Sequence, residues 1–227
     1  MKNAVEQRLE DLGQQRLLPQ AHVDYLNHLK RSGTEPKVIY DLGSCVLHWY
    51  QEAKAVWPQA RYCLAEAMPD VEFLYKQHGL DYHLGVLSNS DRRTVTFWQN
   101  VTHPGGNSYY RENQAHNPQV DEYFPESTKR LVPCRSLDSV IREKKWPLPD
   151  LVKMDVQGAE QDVLMGMTQT LPHVKDLILE LQNVEYNQGA PLASSVVEWL
   201  DQKGFDCVAA LFSNNGPDGD YHFRRRL

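Results

Sequence analysis

Apolar residues in this chain alternate between two rhythms. Short apolar runs at 38–42, 62–66, 82–87, 151–156 and 177–181 read as buried strands. Between them lie stretches with helical spacing. One covers 47–57 and is closed by Pro58, and one covers 69–78, with Pro69 at its start and Gly79 at its end. Ser136 caps a helix running through Lys144, and another helix covers 159–165. Ser195 and Glu198 form a capping-box pattern ahead of a helix that stops at Gly204. Strands alternating with helices predict an α/β fold with a parallel, doubly wound sheet. Runs at 205–212 and 221–225 predict a closing hairpin around Asn214-Asn215-Gly216-Pro217.

Two regions depart from this rhythm. Residues 1–35 form an amphipathic helical extension, expected to cap a main domain spanning 36–227. Pro19 falls in a first turn, Val23, Leu26 and Leu29 share one side, and Ser32-Gly33 ends the helix. After strands at 94–100 and 130–134 are set aside, residues 103–127 remain, rich in Pro, Gly, Asn and Tyr and without a period. So long an irregular segment inside a domain is usually functional, and it reads as an acceptor-side loop.

Composition narrows the partners. Of 227 residues, 24 are basic and 30 acidic, a net charge of -6, which argues against a nucleic-acid backbone binder. No apolar run approaches the roughly 20 residues of a membrane span, and the first ten residues lack the apolar core of an export signal. The cysteines (Cys45, Cys63, Cys134, Cys207) are scattered and form no C-x-x-C pair, as expected of reduced thiols. Together these predict a cytoplasmic protein.

The candidate chemistry sits at strand ends, where ligands bind in open α/β sheets. Leu151-Val152-Lys153-Met154-Asp155-Val156-Gln157-Gly158-Ala159-Glu160 reads as a strand ending in an acid, a glycine turn and a helix. Asp41-Leu42-Gly43-Ser44 has the same layout after the first strand. It lacks the further glycines of G-x-G-x-x-G, which disfavours a ligand with a pyrophosphate. Glu66, ending the second strand, suits the two hydroxyls of a ribose. Ser88 and Asn89, after the third, offer polar groups to an adenine edge.

Lys153 to Glu160, followed by Val163-Leu164 and Gly166, resembles the K-I-D-V-E-G-A-E…v-L-G signature of the FkbM-type methyltransferases. Val132-Pro133-Cys134-Arg135-Ser136-Leu137-Asp138-Ser139-Val140, Leu177-Ile178-Leu179-Glu180-Leu181 and Gly106-Asn107-Ser108 resemble neighbouring segments of that family. The likeness covers roughly residues 37–225. It implies a class I methyltransferase, Rossmann-like fold: a seven-stranded, mostly parallel sheet with helices on both faces and an antiparallel closing hairpin. It further implies S-adenosylmethionine as cofactor and O-methylation, often of sugars or sugar-bearing natural products. The chain departs from the family at Leu47, where D-x-G-x-x-x-G has its second glycine, and at Gln157, where the family has Glu.

A sugar hydroxyl is a poor nucleophile until a base removes its proton. Asp155 is the first candidate base, with a cofactor-holding role or simple stabilisation of a helix start as alternatives. Glu180 lies inside an apolar strand, where a carboxylate needs a partner such as Lys153. Asp155, Glu180 and Asn183 together would suit Mg²⁺ or Mn²⁺ as an alternative. His103 and His48 are further candidate bases. Tyr109, Tyr110, Tyr123 and Phe124 could face a sugar ring, or pin the loop to the core. Arg224-Arg225-Arg226 reads as a solvated end. The rival functions are an inactive domain binding a sugar or a partner, and a nicotinamide-dependent oxidoreductase.

Overall fold

The structure, a computed structural model, describes residues 2–214 and 216–226. Along the chain run α1 (Ala4–Gly13), α2 (Gln20–Arg31), β1 (Val38–Leu42), α3 (His48–Val56), β2 (Arg61–Glu66), α4 (Glu72–Gln77), β3 (Asp81–Leu84) and β4 (Val86–Leu87). Then come β5 (Thr94–Trp98), α5 (Val120–Tyr123), β6 (Lys129–Arg135), α6 (Leu137–Lys144), β7 (Leu151–Met154), α7 (Glu160–Met165), β8 (Asp176–Gln182), α8 (Ala193–Gln202), β9 (Phe205–Asn214) and β10 (Asp218–Arg225). Seven strands form one sheet in the order β3-β2-β1-β7-β8-β10-β9. Only β10 runs antiparallel to its neighbours. This is the class I architecture that the sequence resemblance implies, closing hairpin included; Asn215, at the hairpin turn, lies outside the described residues.

The apolar strands read as they do because both faces of the sheet are covered. Alternate residues feed two cores. Ile39, Leu151 and Ile178 pack with α2, α3 and α4 through Leu26, Leu29, Ala53 and Leu74. Tyr40, Val152, Met154, Leu177 and Leu179 pack with α6, α7 and α8 through Val140, Val163 and Val196. The same alternation has a chemical consequence. Asp41 shares a face with Ile39, Lys153 with Leu151, and Glu180 with Ile178. In register, Asp41 lies beside Lys153 and Glu180 beside Asp220. A polar row therefore crosses the sheet beyond the apolar one, on the side that the N-terminal helices cover.

Those helices are tied down by polar contacts as well as packing. In α2 the buried stripe is His22, Leu26 and Leu29, with Val23 only half-buried. His22 Nδ1 meets Asp220 Oδ2 at 2.9 Å, Tyr25 Oη meets His222 Nδ1 at 2.8 Å, and the Tyr25 ring stacks on Phe212 at 3.9 Å. Pro19 is the residue preceding α2 rather than part of its first turn.

Two further expectations are corrected. The apolar run 82–87 is two strands: β3 ends at Leu84, and β4 joins β6 and β5 in a separate three-stranded sheet of order β4-β6-β5. Helix α8 starts after Leu192, whose carbonyl accepts from the Ser195 and Val196 N–H groups, so Ser195 lies inside the helix and caps nothing. Among the described residues no helix is long and apolar enough to cross a membrane.

Candidate active site

The β1–α3 turn and the loop after β7 meet edge to edge. Gly43 holds φ +79°, and a Cβ there would come within 1.8 Å of the Asp155 carbonyl oxygen. Glycine is therefore required twice over, by conformation and by contact. Four residues on, Leu47 adopts the left-handed conformation (φ 75°, ψ 17°) that suits the family's glycine. The strain of about 1–2 kcal/mol is offset by burying the side chain in the core. The turn keeps its path without its second glycine.

Above this junction lies an open cleft bordered by Gly43, Glu66, Leu87, Phe97, Tyr109 and Asp155. Glu66 is held over it: its two carboxylate oxygens accept from the N–H groups of Cys45 and Met68, both at 2.9 Å. Burial pushes its pKa above the usual carboxylate value. Each oxygen keeps a free lone pair, as a ribose diol would require. Apolar Val86, Leu87 and Phe97 supply a surface for an aromatic base. The residues present thus fit S-adenosylmethionine.

The sequence placed Ser88 and Asn89 at this cleft, but neither borders it. The break at Gly85 brings Val86 and Leu87 to the rim instead. Ser88 is buried beneath Tyr109, and the Asn89 amide donates to Asp162. Ser44 pairs with Tyr75 Oη at 2.9 Å and donates to the Ala65 carbonyl, fastening the turn to β2. Asp41 lies beneath the cleft, fully buried, with neither carboxylate oxygen hydrogen-bonded. Its nearest cation is Lys153 Nζ at 3.8 Å. Burial, only partly countered by Lys153, pushes its pKa up to about 6.

The reacting groups converge at Asp155. Lys153 Nζ donates to Asp155 Oδ2 at 3.2 Å, and Gln157 Nε2 donates to Asp155 Oδ1 at 2.7 Å and to Glu180 Oε2 at 2.9 Å. Burial opposes ionisation of Asp155, but the Lys153 ammonium and hydrogen bonds from Glu180 and Gln157 outweigh it and hold its pKa low. Burial and the Asp155 charge push the Glu180 carboxyl well up. The pair holds one proton, on Glu180, and one charge, on Asp155. Asp155 also borders a second cavity, whose wall includes Leu18, His22, His48, Lys153, Glu180 and Asp220.

Other candidates lie elsewhere. His103 borders neither cavity; its ring stacks on Tyr123 at 4.5 Å, with Nε2 3.6 Å from Glu112. His48 meets the Leu12 carbonyl at 2.8 Å. Asn183 accepts from Tyr221 Oη, away from Asp155, so Asp155, Glu180 and Asn183 do not assemble as a metal site. Among the described residues no three metal-binding side chains converge. Tyr109 and Tyr110 both donate to Asp162, pinning the irregular loop to α7, although Tyr109 still borders the cleft. The arginine run is engaged: Arg224 with Asp176, Arg225 with the Val174 carbonyl, Arg226 with Asp201 and Asp206.

A model of the FkbM methyltransferase domain matches residues 46–207. The chain belongs to the FkbM methyltransferase family. Its fold is that of S-adenosylmethionine-dependent class I enzymes. It superposes on cofactor-bound Rv0187 from MTB with a TM-score of 0.55, at 10% identity over 98% of this chain and 88% of that one. An O-methyltransferase family protein from Burkholderia thailandensis gives 0.50, at 10% identity over 91% of this chain and 55% of that one. A stretch of 73 residues, 32% of this chain, is 37% identical to the AMB antimetabolite synthetase AmbE of Pseudomonas aeruginosa and spans 3% of that protein.

Within this FkbM methyltransferase, Gln157 stands where the family signature carries Glu. Here its amide donates to two carboxyl groups at once, which a third carboxylate could not do. Sequence reasoning missed His22 and Asp220. The available signal was a histidine in the apolar stripe of α2 and an aspartate in the closing strand.

Two experiments probe the supports. Glu66→Ala should weaken binding of S-adenosylmethionine about tenfold or more. It should also destabilise the fold by about 1–3 kcal/mol, because two backbone donors lose their acceptor. Calorimetry and thermal unfolding separate the two effects, and an unchanged dissociation constant would remove Glu66 from the ribose site. Glu160, 3% exposed, accepts from the Val156 N–H at 2.8 Å, and burial pushes its pKa up to about 8. The unfolded chain therefore binds fewer protons than the folded one between about pH 4.5 and 8. This group's contribution is complete below pH 4.5 and declines by about 1.4 kcal/mol per pH unit up to about pH 8. Glu160→Gln should raise the melting temperature at pH 8 and leave it nearly unchanged at pH 4.5; equal effects at both would contradict the assignment.

Proposed function

We propose that this enzyme transfers a methyl group from S-adenosylmethionine to a hydroxyl of a sugar, in a glycan or a glycosylated small molecule. The supporting observation is the position of Asp155, bordering the cleft that fits the cofactor and also the second cavity. When bound, the cofactor supplies an electrophilic methyl on a sulfonium. The protein must then align an acceptor oxygen with that methyl, exclude water and take up one proton.

Glu66 holds the ribose, and Val86, Leu87 and Phe97 form the apolar wall. Asp155, ionised, receives the proton of the acceptor hydroxyl. A low pKa does not disqualify it, because a hydroxyl becomes a strong acid as its oxygen acquires a second carbon. Lys153 keeps Asp155 charged before transfer, and Glu180, already protonated, donates to it rather than competing for the proton. Polar groups in the second cavity give a sugar hydrogen-bonding partners, and the Trp49 ring in its wall offers an apolar surface.

The test is transfer of a labelled methyl group to a panel of oligosaccharides. Label should appear on sugar oxygen. Incorporation into no carbohydrate, by protein that binds the cofactor, would overturn the reading.

A further inference from the structure

The second cavity is built by the N-terminal helices as much as by the sheet. Leu17, Leu18 and Pro19, joining α1 to α2, line it with Trp49, and Glu180 and Asp220 line it from the sheet. Glu180 and Asp220 are register partners on β8 and β10.

Lys153 also lines this cavity, but its ammonium is engaged by Asp155 at 3.2 Å and Asp41 at 3.8 Å, and among the described residues no ion pair joins it to Asp220. Nor does His22 supply a charge. The Trp49 indole N–H can only donate, so His22 Nε2 accepts it at 2.8 Å, and the ring proton sits on Nδ1, donated to Asp220 Oδ2. Asp220, 5% exposed, is thus held rigidly by a neutral ring, and no side chain among the described residues hydrogen-bonds its Oδ1. The cavity combines an apolar wall with a fixed, uncompensated carboxylate, close to the group that takes up the acceptor proton.

We propose that this cavity is the acceptor site and that Asp220 selects a sugar carrying a protonated amine, an amino sugar, whose ammonium sits between Asp220 and Glu180. The assignment rests on the methyl-transfer reading and narrows its substrate class. Because no three metal-binding side chains converge among the described residues, an ammonium is the better match than a divalent ion.

The probes are glucosamine and N-acetylglucosamine, titrated calorimetrically into the full chain saturated with S-adenosylhomocysteine. Glucosamine should bind at least tenfold more tightly, since acetylation removes the charge. Asp220→Asn, which keeps an oxygen for His22, should bring the ratio close to one, and retained S-adenosylhomocysteine binding in the same sample reports a folded chain. Equal affinities in the wild type, a preference that survives in Asp220→Asn, binding of neither sugar, or displacement of glucosamine by Mn²⁺ at equal concentration would each overturn the assignment. Failure to bind S-adenosylhomocysteine would overturn the methyl-transfer reading itself, and this assignment with it.

Discussion

Asp155→Ala should reduce methyl transfer by about 10² to 10⁴-fold, the range that a positioned base contributes. The loss should fall on the rate of the chemical step, measured in a single turnover with labelled cofactor. Affinity for S-adenosylhomocysteine should change far less, because Glu66 and the apolar wall remain. Stability should fall modestly. Lys153 loses its closer carboxylate but keeps Asp41, 3.8 Å away, and the Asp155 side chain is 31% exposed. Asp155→Asn sharpens the test, since it preserves shape and one acceptor oxygen for the Gln157 amide. If either variant turned over at near wild-type rate, the proton would be going elsewhere. His48, which borders the second cavity and, unlike His22, is not held between Trp49 and Asp220, would then be the next group to replace.

The parts of this site that the sequence revealed are those set by chain-local rules. An acid and a glycine after an apolar run mark a strand end, and strand ends in this fold converge, so Asp155, Gly43 and Glu66 were legible. What the sequence hid depends on pairing between distant segments. Nothing local to Ser88 or Asn89 shows that β3 stops at Leu84 and that the chain then crosses to β6. Asp41 read as a ligand-side acid at a strand end, yet it points with Ile39 into the helix-covered face, because side chains alternate along a strand. Asp220 and His22 are 198 residues apart, and only the closing hairpin brings them together. The helical extension shows the same limit. Its apolar stripe was readable, but the histidine within it acquires a role only from Trp49 and Asp220.

Lys153→Met should be the most destabilising single change at the site. Asp41 is fully buried, with no hydrogen-bond partner, and Lys153 is its only nearby cation among the described residues. Removing one member of a buried pair typically costs about 3–5 kcal/mol. Proton uptake caps the share that falls on Asp41: its pKa is already about 6 in the intact protein, so at pH 7 that share is at most about 1.4 kcal/mol, and the remainder falls on Asp155, which loses the same ammonium. The pH dependence follows from the sign. With its folded pKa raised further, Asp41 carries more protons in the folded chain than in the unfolded one. Stability of the variant should therefore fall steadily as pH rises above about 4, and the gap from wild type should nearly close at pH 4. Adding Asp41→Leu should recover Asp41's share of the loss at pH 7, since apolar replacements of both partners in a buried pair are commonly neutral or better. Transfer should not recover, because Asp155 would still lack the ammonium that keeps it ionised. Restored turnover in the double variant would show that Lys153 serves the fold alone; stability no higher than in Lys153→Met would show that Asp41 is not what Lys153 neutralises.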